Sequence, residues 1–412
     1  MRNFLLLALG KMTKLSDTYF LKRAGSYSNP LNSNQRLPII YGNLTDGIAG
    51  NWELPCLNAT DWVYAYAGSE VLSVANGNTI VIYENGLVLT SGGVDYTFNA
   101  ANNYEGHGTI ATIDMVNPKL NAIITATGKG KPTAAAGATL MENIIDIVND
   151  FLTVENDFTS ALYEATAKAT AAAIFTGQSY KAAGAIVEDV PIWETIMNMM
   201  GSFLGSAFIN GQGELILDID VNTIPLGMAD IIPKGDAFLT DAKIKRDNII
   251  NQCPCNYAYS YTNYEFKKHT DATAHADAIS QSVFGMRTPS TPYQFYWCRD
   301  LTSVQKVQDY IVAKLKNPIY EIEITDATLK RVGVDIGDFI AWSADSLYGQ
   351  DGIQLLNNFW KIISVRPDYG KNNIVFRALQ TDHFLMAGFL LDGSWILDGS
   401  KKLGGGRDTT IY

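Results

Sequence analysis

A pair of carboxylates is the first feature of the sequence that could do chemistry. Asp218 and Asp220 are two residues apart, so on a β-strand both side chains lie on one face, where they could share acid–base chemistry or bind a cation. Acidic pairs on strand edges usually face solvent, and a glycoside hydrolase would need further carboxylates from other segments. We therefore expect no enzymatic activity, with a glycoside hydrolase as an alternative.

The cysteines and histidines show no metal-ligand or redox spacing. Cys253 and Cys255 flank a single proline, which is a tighter spacing than that of a CxxC zinc knuckle or redox pair. We expect free, partly buried thiols at all four positions, Cys56, Cys253, Cys255 and Cys298. The histidines form no HExxH motif, and residues 128–132 lack the spacing of a phosphate loop, so this stretch is predicted to be a linker. No cofactor and no metal are expected.

Aromatic residues are concentrated in two segments of the chain. Tyr257, Tyr259 and Tyr261 alternate ahead of Tyr264, and a second group spans residues 293–297. Flat rings of this kind can stack on sugars or bases. Alternating tyrosines in a strand more often line a protein interface or cover a core. A carbohydrate-binding adhesin is therefore a second alternative.

The charge balance bears on the partners of the chain. The 412 residues include 31 lysines and arginines and 42 aspartates and glutamates, which gives a net charge of −11. This excess opposes broad attraction to phosphate backbones or anionic lipid, so DNA is expected only by passage through a channel. The low charged fraction of 18% favours β-structure and protein contacts. No apolar stretch is long enough to cross a bilayer, and no membrane insertion is expected.

Apolar runs separated by turn residues predict a β domain from Leu37 to about Gly130. Asn85-Gly86 separates two such runs and is the strongest hairpin signal in the sequence. The predicted strands are Pro38–Tyr41, Trp62–Ala67, Thr79–Leu89, Asp95–Asn99, Thr109–Asp114 and Ala122–Thr127.

Helical spacing follows this β domain. Thr139 and Glu142 are predicted to form a capping box for a helix with an apolar face made of Leu140, Ile144, Ile147, Val148 and Phe151. The alanine-rich stretch 158–175 is predicted to continue the helical region. Asp189 and Pro191 are predicted to open a helix with a core-facing stripe of Ile192, Ile196, Met199, Met200 and Phe203. Thr302 and Gln305 are predicted to cap a further helix that bears Val304, Val307, Ile311 and Leu315.

The remaining apolar runs predict strands. A hairpin is expected over 208–217, and single strands over 238–244, 257–266 and 319–324. The runs 336–342, 359–365 and 373–379, with a turn at 367–370, predict a small antiparallel barrel or sandwich near the C-terminus.

The last residues contain a short repeat, in which LDGS occurs at 391–394 and again at 397–400. Apolar side chains around the repeat are costly to expose in water, so we predict a tail that docks on a partner. The predicted docking residues are Phe389, Leu390, Leu391, Trp395, Ile396 and Leu397.

These observations divide the chain into six predicted segments. They are an N-terminal arm (1–36), a β-rich barrel-like domain (37–132), an α+β domain (133–232), an α+β domain that contributes to a second barrel (233–325), a C-terminal β module (326–386) and the docking tail (387–412).

The order of these parts resembles the tail hub family of tailed bacteriophages, also called baseplate hub or tail tip proteins. The resemblance is carried by the motif LPIIYG at Leu37–Gly42, the helix–glycine–strand passage Ile192–Leu217, the run Gly333–Trp342 before Trp360–Val365, and the LDGS repeat.

The resemblance implies an α+β, predominantly β architecture, with tail-tube-like β-barrel domains and smaller α+β domains. It implies a homotrimer that closes the distal end of the tail tube and serves host attachment and genome delivery. The implied partners are the distal tail or tail tube protein, fibre or spike proteins, and the tape-measure protein. The implied location is the virion tail tip, after assembly in the host cytoplasm.

Overall fold

The computed structural model describes residues 37–384 except 46, 59, 105–107, 118–121, 160–161, 189, 211, 221–228, 234 and 349–353. The described residues form an α+β fold that is mainly β, which confirms this part of the predicted fold class. The chain divides into two compact units, and both are discontinuous in sequence. The first comprises Met1–Asp220, Gln252–Ala276 and Pro289–Asp309, and the second comprises Val221–Asn251, Asp277–Thr288 and Tyr310–Tyr412. The six predicted segment boundaries stay predictions.

The strands of the described residues are β1 (Ile39–Tyr41), β2 (Trp52–Glu53), β3 (Cys56–Asn58), β4 (Val63–Ala67), β5 (Val81–Glu84), β6 (Leu87–Val88), β7 (Tyr96–Asn103), β8 (Thr109–Met115), β9 (Ile124–Thr127), β10 (Gly184–Ile186), β11 (Gly205–Ile209), β12 (Leu215–Ile219), β13 (Ala229–Ile231), β14 (Ala237–Lys245), β15 (Cys255–Ser260), β16 (Glu265–His269), β17 (Tyr293–Gln294), β18 (Ile319–Asp326), β19 (Phe339–Tyr348), β20 (Gln354–Asp368) and β21 (Asn373–Phe384). The helices are α1 (Ile144–Thr153), α2 (Ala165–Gly177), α3 (Ile192–Gly201), α4 (Ala278–Phe284) and α5 (Leu301–Leu315).

Two four-stranded sheets enclose one core of the first unit. Their strand orders are β2-β9-β5-β6 and β3-β4-β8-β7. Trp52 and Ile82 from one sheet and Tyr66 and Ile113 from the other belong to a single cluster of buried side chains. Because both sheets contribute their inner faces to one core, this part is a β-sandwich. The predicted hairpin at Asn85-Gly86 is confirmed, since β5 and β6 pair across it and both turn residues have positive φ.

The LPIIYG motif forms a close backbone contact in the first unit. Strand β1 pairs antiparallel with β10, and Gly42 follows with φ of +68°. A Cβ on Gly42 would lie 2.2 Å from the Ala182 carbonyl oxygen. Glycine is needed here both for its conformation and for its lack of a side chain.

Helix α1 begins later than the sequence predicted. Asn143 is its N-cap and accepts a hydrogen bond from the Ile145 N–H, so the Thr139–Glu142 capping box is wrong. Leu140 instead lies in a β-bridge with Pro132, while the other four predicted apolar residues are buried.

A buried ionic cluster ties helix α1 to the strand segment that precedes it. Lys131 Nζ lies 2.6 Å from Asp150 Oδ2 and 3.0 Å from Glu155 Oε1, and the Tyr41 hydroxyl donates to Asp150.

The other helical predictions have different outcomes. Helix α2 is confirmed only from Ala165, because the Glu164 side chain caps it by accepting the N–H groups of Thr166 and Ala167. Helix α3 is confirmed after Pro191, and all five residues of its predicted stripe are buried. Asp189 lies outside the described residues. Helix α5 begins at Leu301 and is capped by Asp300, which accepts the Ser303 N–H, so the Thr302–Gln305 cap is wrong.

Two strand predictions of the first unit are also settled. The hairpin over 208–217 is confirmed as β11 and β12. The single strand predicted over 257–266 is wrong, because the chain turns at 261–264 and forms the antiparallel pair β15 and β16. Tyr264 in this turn has φ of +54°, a conformation that sequence periodicity does not reveal.

The second unit is built on one six-stranded sheet with the order β13-β19-β20-β21-β18-β14. Its edge strands, β13 and β14, are consecutive in the chain and are joined by residues 232–236. The Arg331 guanidinium contacts both the Ile231 carbonyl at the end of β13 and the Asp326 carboxylate at the end of β18, so the sheet curves until its two edges approach each other. No closed barrel is found among the described strands, and the predicted barrel is replaced here by a curved open sheet.

Apolar residues fill the concave face of this sheet. Trp360, Ile340 and Phe376 are fully buried, and the Trp360 indole N–H donates to the Trp342 carbonyl at 3.0 Å. The C-terminal strands are confirmed as β19, β20 and β21. The turn after β20 lies later than predicted, because Pro367 pairs with Ile374 and Asp368 with Asn373. Proline is tolerated at this position near the end of the strand.

Candidate protein-interaction site

Helix α4 exposes two of its three large apolar side chains, and a third exposed apolar residue follows the helix. Ile279, Val283 and Met286 are 79%, 66% and 69% exposed. Their spacing places Ile279 and Val283 one turn apart on the helix, and Met286 follows at its C-terminal end. Ser280 is the buried residue of this helix. We call Ile279, Val283 and Met286 the α4 stripe.

Hydrogen bonds hold α4 in place where apolar packing normally would. Asn251 is fully buried, and its side chain donates to Ser280 Oγ at 3.1 Å and to the Gly285 carbonyl at 2.9 Å. Its side-chain oxygen accepts the Arg287 N–H at 2.8 Å. The Ser280 hydroxyl donates to the Lys316 carbonyl at 2.5 Å. The helix is thus fixed by its polar side, which leaves the α4 stripe facing outward.

Local sequence explains both ends of α4. Asp277 is the N-cap and accepts the Ser280 N–H at 2.8 Å. This backbone hydrogen bond and the nearby Lys316 ammonium lower the pKa of Asp277 below its ordinary value. Gly285 ends the helix with φ of +72°. Both signals are present in the sequence, but the helix was not predicted because an apolar stripe in so short a segment does not suggest an exposed helix.

The α4 stripe is suited to binding another protein. Single exposed apolar residues are common on protein surfaces, whereas apolar residues grouped on one fixed element indicate an interaction site. Because buried hydrogen bonds already order the helix, little conformational entropy is lost when a partner binds.

We expect Asn251→Ala to release α4 while the rest of the second unit stays folded. The substitution leaves the Arg287 N–H and the Gly285 carbonyl without their side-chain partner, and lost buried hydrogen bonds cost about 1–3 kcal/mol each. Hydrogen exchange should accelerate in peptides covering 278–287 and stay unchanged in β18 and β21. Asn263→Ala at an exposed position is the control. Unchanged exchange over 278–287 would show that Asn251 does not hold the helix.

The predicted tyrosine platform is only partly assembled. Tyr257 is buried, but Tyr259 is half-buried and packs edge-on against Tyr261, Phe266 and Tyr296, with ring centroids about 5 Å apart. Tyr264 is exposed, and its hydrogen bond with Glu188 raises its pKa. The rings mainly cover one another, which favours the interpretation that they cover a core.

The other residues considered from the sequence are not brought together. Asp218 and Asp220 are half-buried at β12, and among the described residues no group of His, Cys, Asp or Glu could hold a metal ion. None of the four cysteines forms a disulfide, as expected. Cys253 and Cys255 are buried with their sulfurs 3.7 Å apart, and burial raises the pKa of Cys298 well above its ordinary value. The six predicted docking residues and the LDGS repeat lie outside the described residues.

A charged groove of about 360 Å³ lies on the outer face of the six-stranded sheet. Its acids are paired: Asp241 with Lys243, Glu323 with Arg366, and Glu321 with both Lys245 and Arg377. The two basic partners lower the pKa of Glu321. The charges on this face alternate in sign across neighbouring strands, which is typical of a solvated sheet surface.

Among the described helices, none has the length and apolar character of a membrane span.

The described residues thus form a two-unit α+β protein in which one helix has an exposed apolar face. No family model and no curated protein matches the chain. Solved structures that it resembles include the tail protein from Neisseria meningitidis MC58, with 9% identity, a TM-score of 0.34, and coverage of 74% of this chain and 97% of that one. Another is the 43 kDa tail protein of prophage MuSo2 from Shewanella oneidensis, with 10% identity, a TM-score of 0.31, and coverage of 73% and 98%.

Proposed function

We propose that this chain is a structural hub protein of a bacteriophage tail. In this proposal a homotrimer closes the distal end of the tail tube and joins it to fibre or spike proteins for host attachment and genome delivery. The subunit has no enzymatic activity of its own. It contacts the distal tail or tail tube protein and the tape-measure protein, assembles in the host cytoplasm, and meets DNA only as the genome passes through the ring.

The α4 stripe is the observation that best supports an assembling protein. Exposed apolar side chains on and directly after a helix that a buried asparagine holds in place are typical of a surface that is covered in a permanent complex. The resemblance in the order of parts, from LPIIYG to the paired C-terminal strands, points to the hub family within that class.

We expect the purified full-length chain to have the mass of three subunits by light scattering and to form rings in electron micrographs. Val283→Asp should shift the population toward monomer, because a charge on the α4 stripe opposes burial in an interface. Ser282→Asp is the matched control, since it adds the same charge at an exposed neighbouring position. A monomer at high concentration in the unmodified chain would contradict the homotrimer.

A carbohydrate-binding adhesin is the second candidate, because Tyr264 combines an exposed ring with a carboxylate partner, Glu188. Binding of the full-length chain to a glycan array, abolished by Tyr264→Ala, would favour this candidate over the hub.

A further inference from the structure

We propose that Cys253 and Cys255 form a redox site, at which hydrogen peroxide converts the two thiols into a disulfide. Their sequence spacing is tighter than that of a CxxC redox pair, but the fold holds their sulfur atoms 3.7 Å apart. The S–S bond of a disulfide is about 2 Å long, so a small side-chain movement is enough to join the two sulfurs. The inference goes beyond the proposed tail function and does not depend on it.

Hydrogen bonds hold the backbone on both sides of the pair. The Cys253 carbonyl accepts a hydrogen bond from Gln308 Nε2 at 2.7 Å. Cys255 begins β15, and its N–H donates to Thr270 Oγ1 at 3.1 Å, while its carbonyl accepts the Thr270 N–H at 2.9 Å. Because the backbone is already ordered at both cysteines, little conformational entropy remains to be lost when their sulfurs react with each other.

The two thiols differ in acidity. A hydrogen bond from the Cys253 thiol, together with one from the Thr270 side chain, lowers the pKa of Cys255 although the residue is fully buried. The same contact between the sulfurs raises the pKa of Cys253. Because the thiolate is the nucleophile, Cys255 reacts first and Cys253 keeps its proton until the second step.

The reaction takes place in two steps. The Cys255 sulfur forms a bond to one peroxide oxygen, the O–O bond breaks, and the other oxygen leaves as hydroxide, so that Cys255 becomes a sulfenic acid. The Cys253 sulfur then attacks the Cys255 sulfur, the S–O bond breaks, and the departing hydroxide takes up the Cys253 proton. The two thiols thus give up two protons and two electrons, and hydrogen peroxide takes them up to become two water molecules. Hydrogen peroxide is close to water in size, so local opening of the fold is enough to admit it.

Peptide mapping of the full-length chain tests the pair. The reduced protein is treated with hydrogen peroxide, unfolded in the presence of iodoacetamide and digested. We expect the peptide that contains residues 253–255 to lose two hydrogen atoms and to escape alkylation, and we expect dithiothreitol to restore both thiols. Alkylation of both cysteines after the treatment, or a disulfide from either of them to Cys56 or Cys298, would overturn the proposal.

Two variants test the order of the steps. Cys253→Ser removes the thiol that attacks the sulfenic acid, so dimedone should label Cys255. Cys255→Ser should leave Cys253 as a thiol at the same peroxide dose. Cys298→Ser is the matched control, because it makes the same replacement at another fully buried cysteine and should leave disulfide formation unchanged. Equal labelling of Cys253 and Cys255 by dimedone would overturn the roles assigned to the two sulfurs, and the unmodified chain decides the proposal if a variant does not fold.

Discussion

Replacing Lys131 with methionine should lower the free energy of unfolding of the first unit by about 3–5 kcal/mol, because breaking a buried salt bridge leaves uncompensated charge. The Lys131 side chain is 13% exposed and lies between two carboxylates, of which Glu155 is completely buried. Burial opposes the charged form of Lys131, but Glu155 and Asp150 outweigh it and raise its pKa. Methionine is similar in shape to lysine, so the lost free energy of unfolding reflects mainly the removed charge.

The measurement is denaturation by urea together with hydrogen exchange in α1. Lys243→Met is a matched control, because the Lys243–Asp241 pair is more than half exposed and should change stability by no more than about 0.5 kcal/mol. In the Lys131→Met background, Asp150→Asn with Glu155→Gln should recover part of the lost stability. Equal effects of Lys131→Met and Lys243→Met would contradict the role of burial.

Replacing Arg331 with methionine should destabilise the second unit by a similar amount, about 3–5 kcal/mol. Arg331 is buried, and its Nη1 lies 2.8 Å from Oδ2 of Asp326, which is fully buried. Its Nη2 donates to the Ile231 carbonyl at 3.2 Å and lies 3.4 Å from Asp236. One guanidinium thus joins the edge strand β13, the linker between the two edges, and the end of β18. Its loss should loosen the curved sheet where its edges approach.

Arg331→Lys separates geometry from charge. Lysine keeps the charge but lacks the planar guanidinium that reaches three acceptors. Arg331→Lys should therefore destabilise the second unit, but by less than Arg331→Met does. Arg366→Met is the matched control, since the Arg366 side chain is 63% exposed in its pair with Glu323. Hydrogen exchange in β13 and β14 measures the result. If Arg331→Met leaves hydrogen exchange in β13 and β14 the same as in the unmodified chain, the apolar core alone holds the edges of the sheet.

Local sequence determined the features that depend on neighbouring residues. The Asn85-Gly86 hairpin was predictable because its turn requires positive φ at both central residues, which these two types tolerate. The buried stripe of α3 was predictable because its apolar residues repeat at helical spacing in the sequence that follows Pro191. The mainly β, α+β class follows from the same local patterns.

Tertiary structure alone decided which segments share a unit. Strand β13 pairs in parallel with β19, more than a hundred residues later, and no local pattern specifies such a partner. The starts of α1 and α5 are a different case, because the caps Asn143 and Asp300 are local residues that compete with the predicted capping residues for the first N–H groups. The orientation of α4 depends on Asn251, which is distant in sequence and binds the polar side of the helix. Spacing shows that a helix has an apolar face, but only the contacts of its other face decide whether that apolar face is buried or exposed.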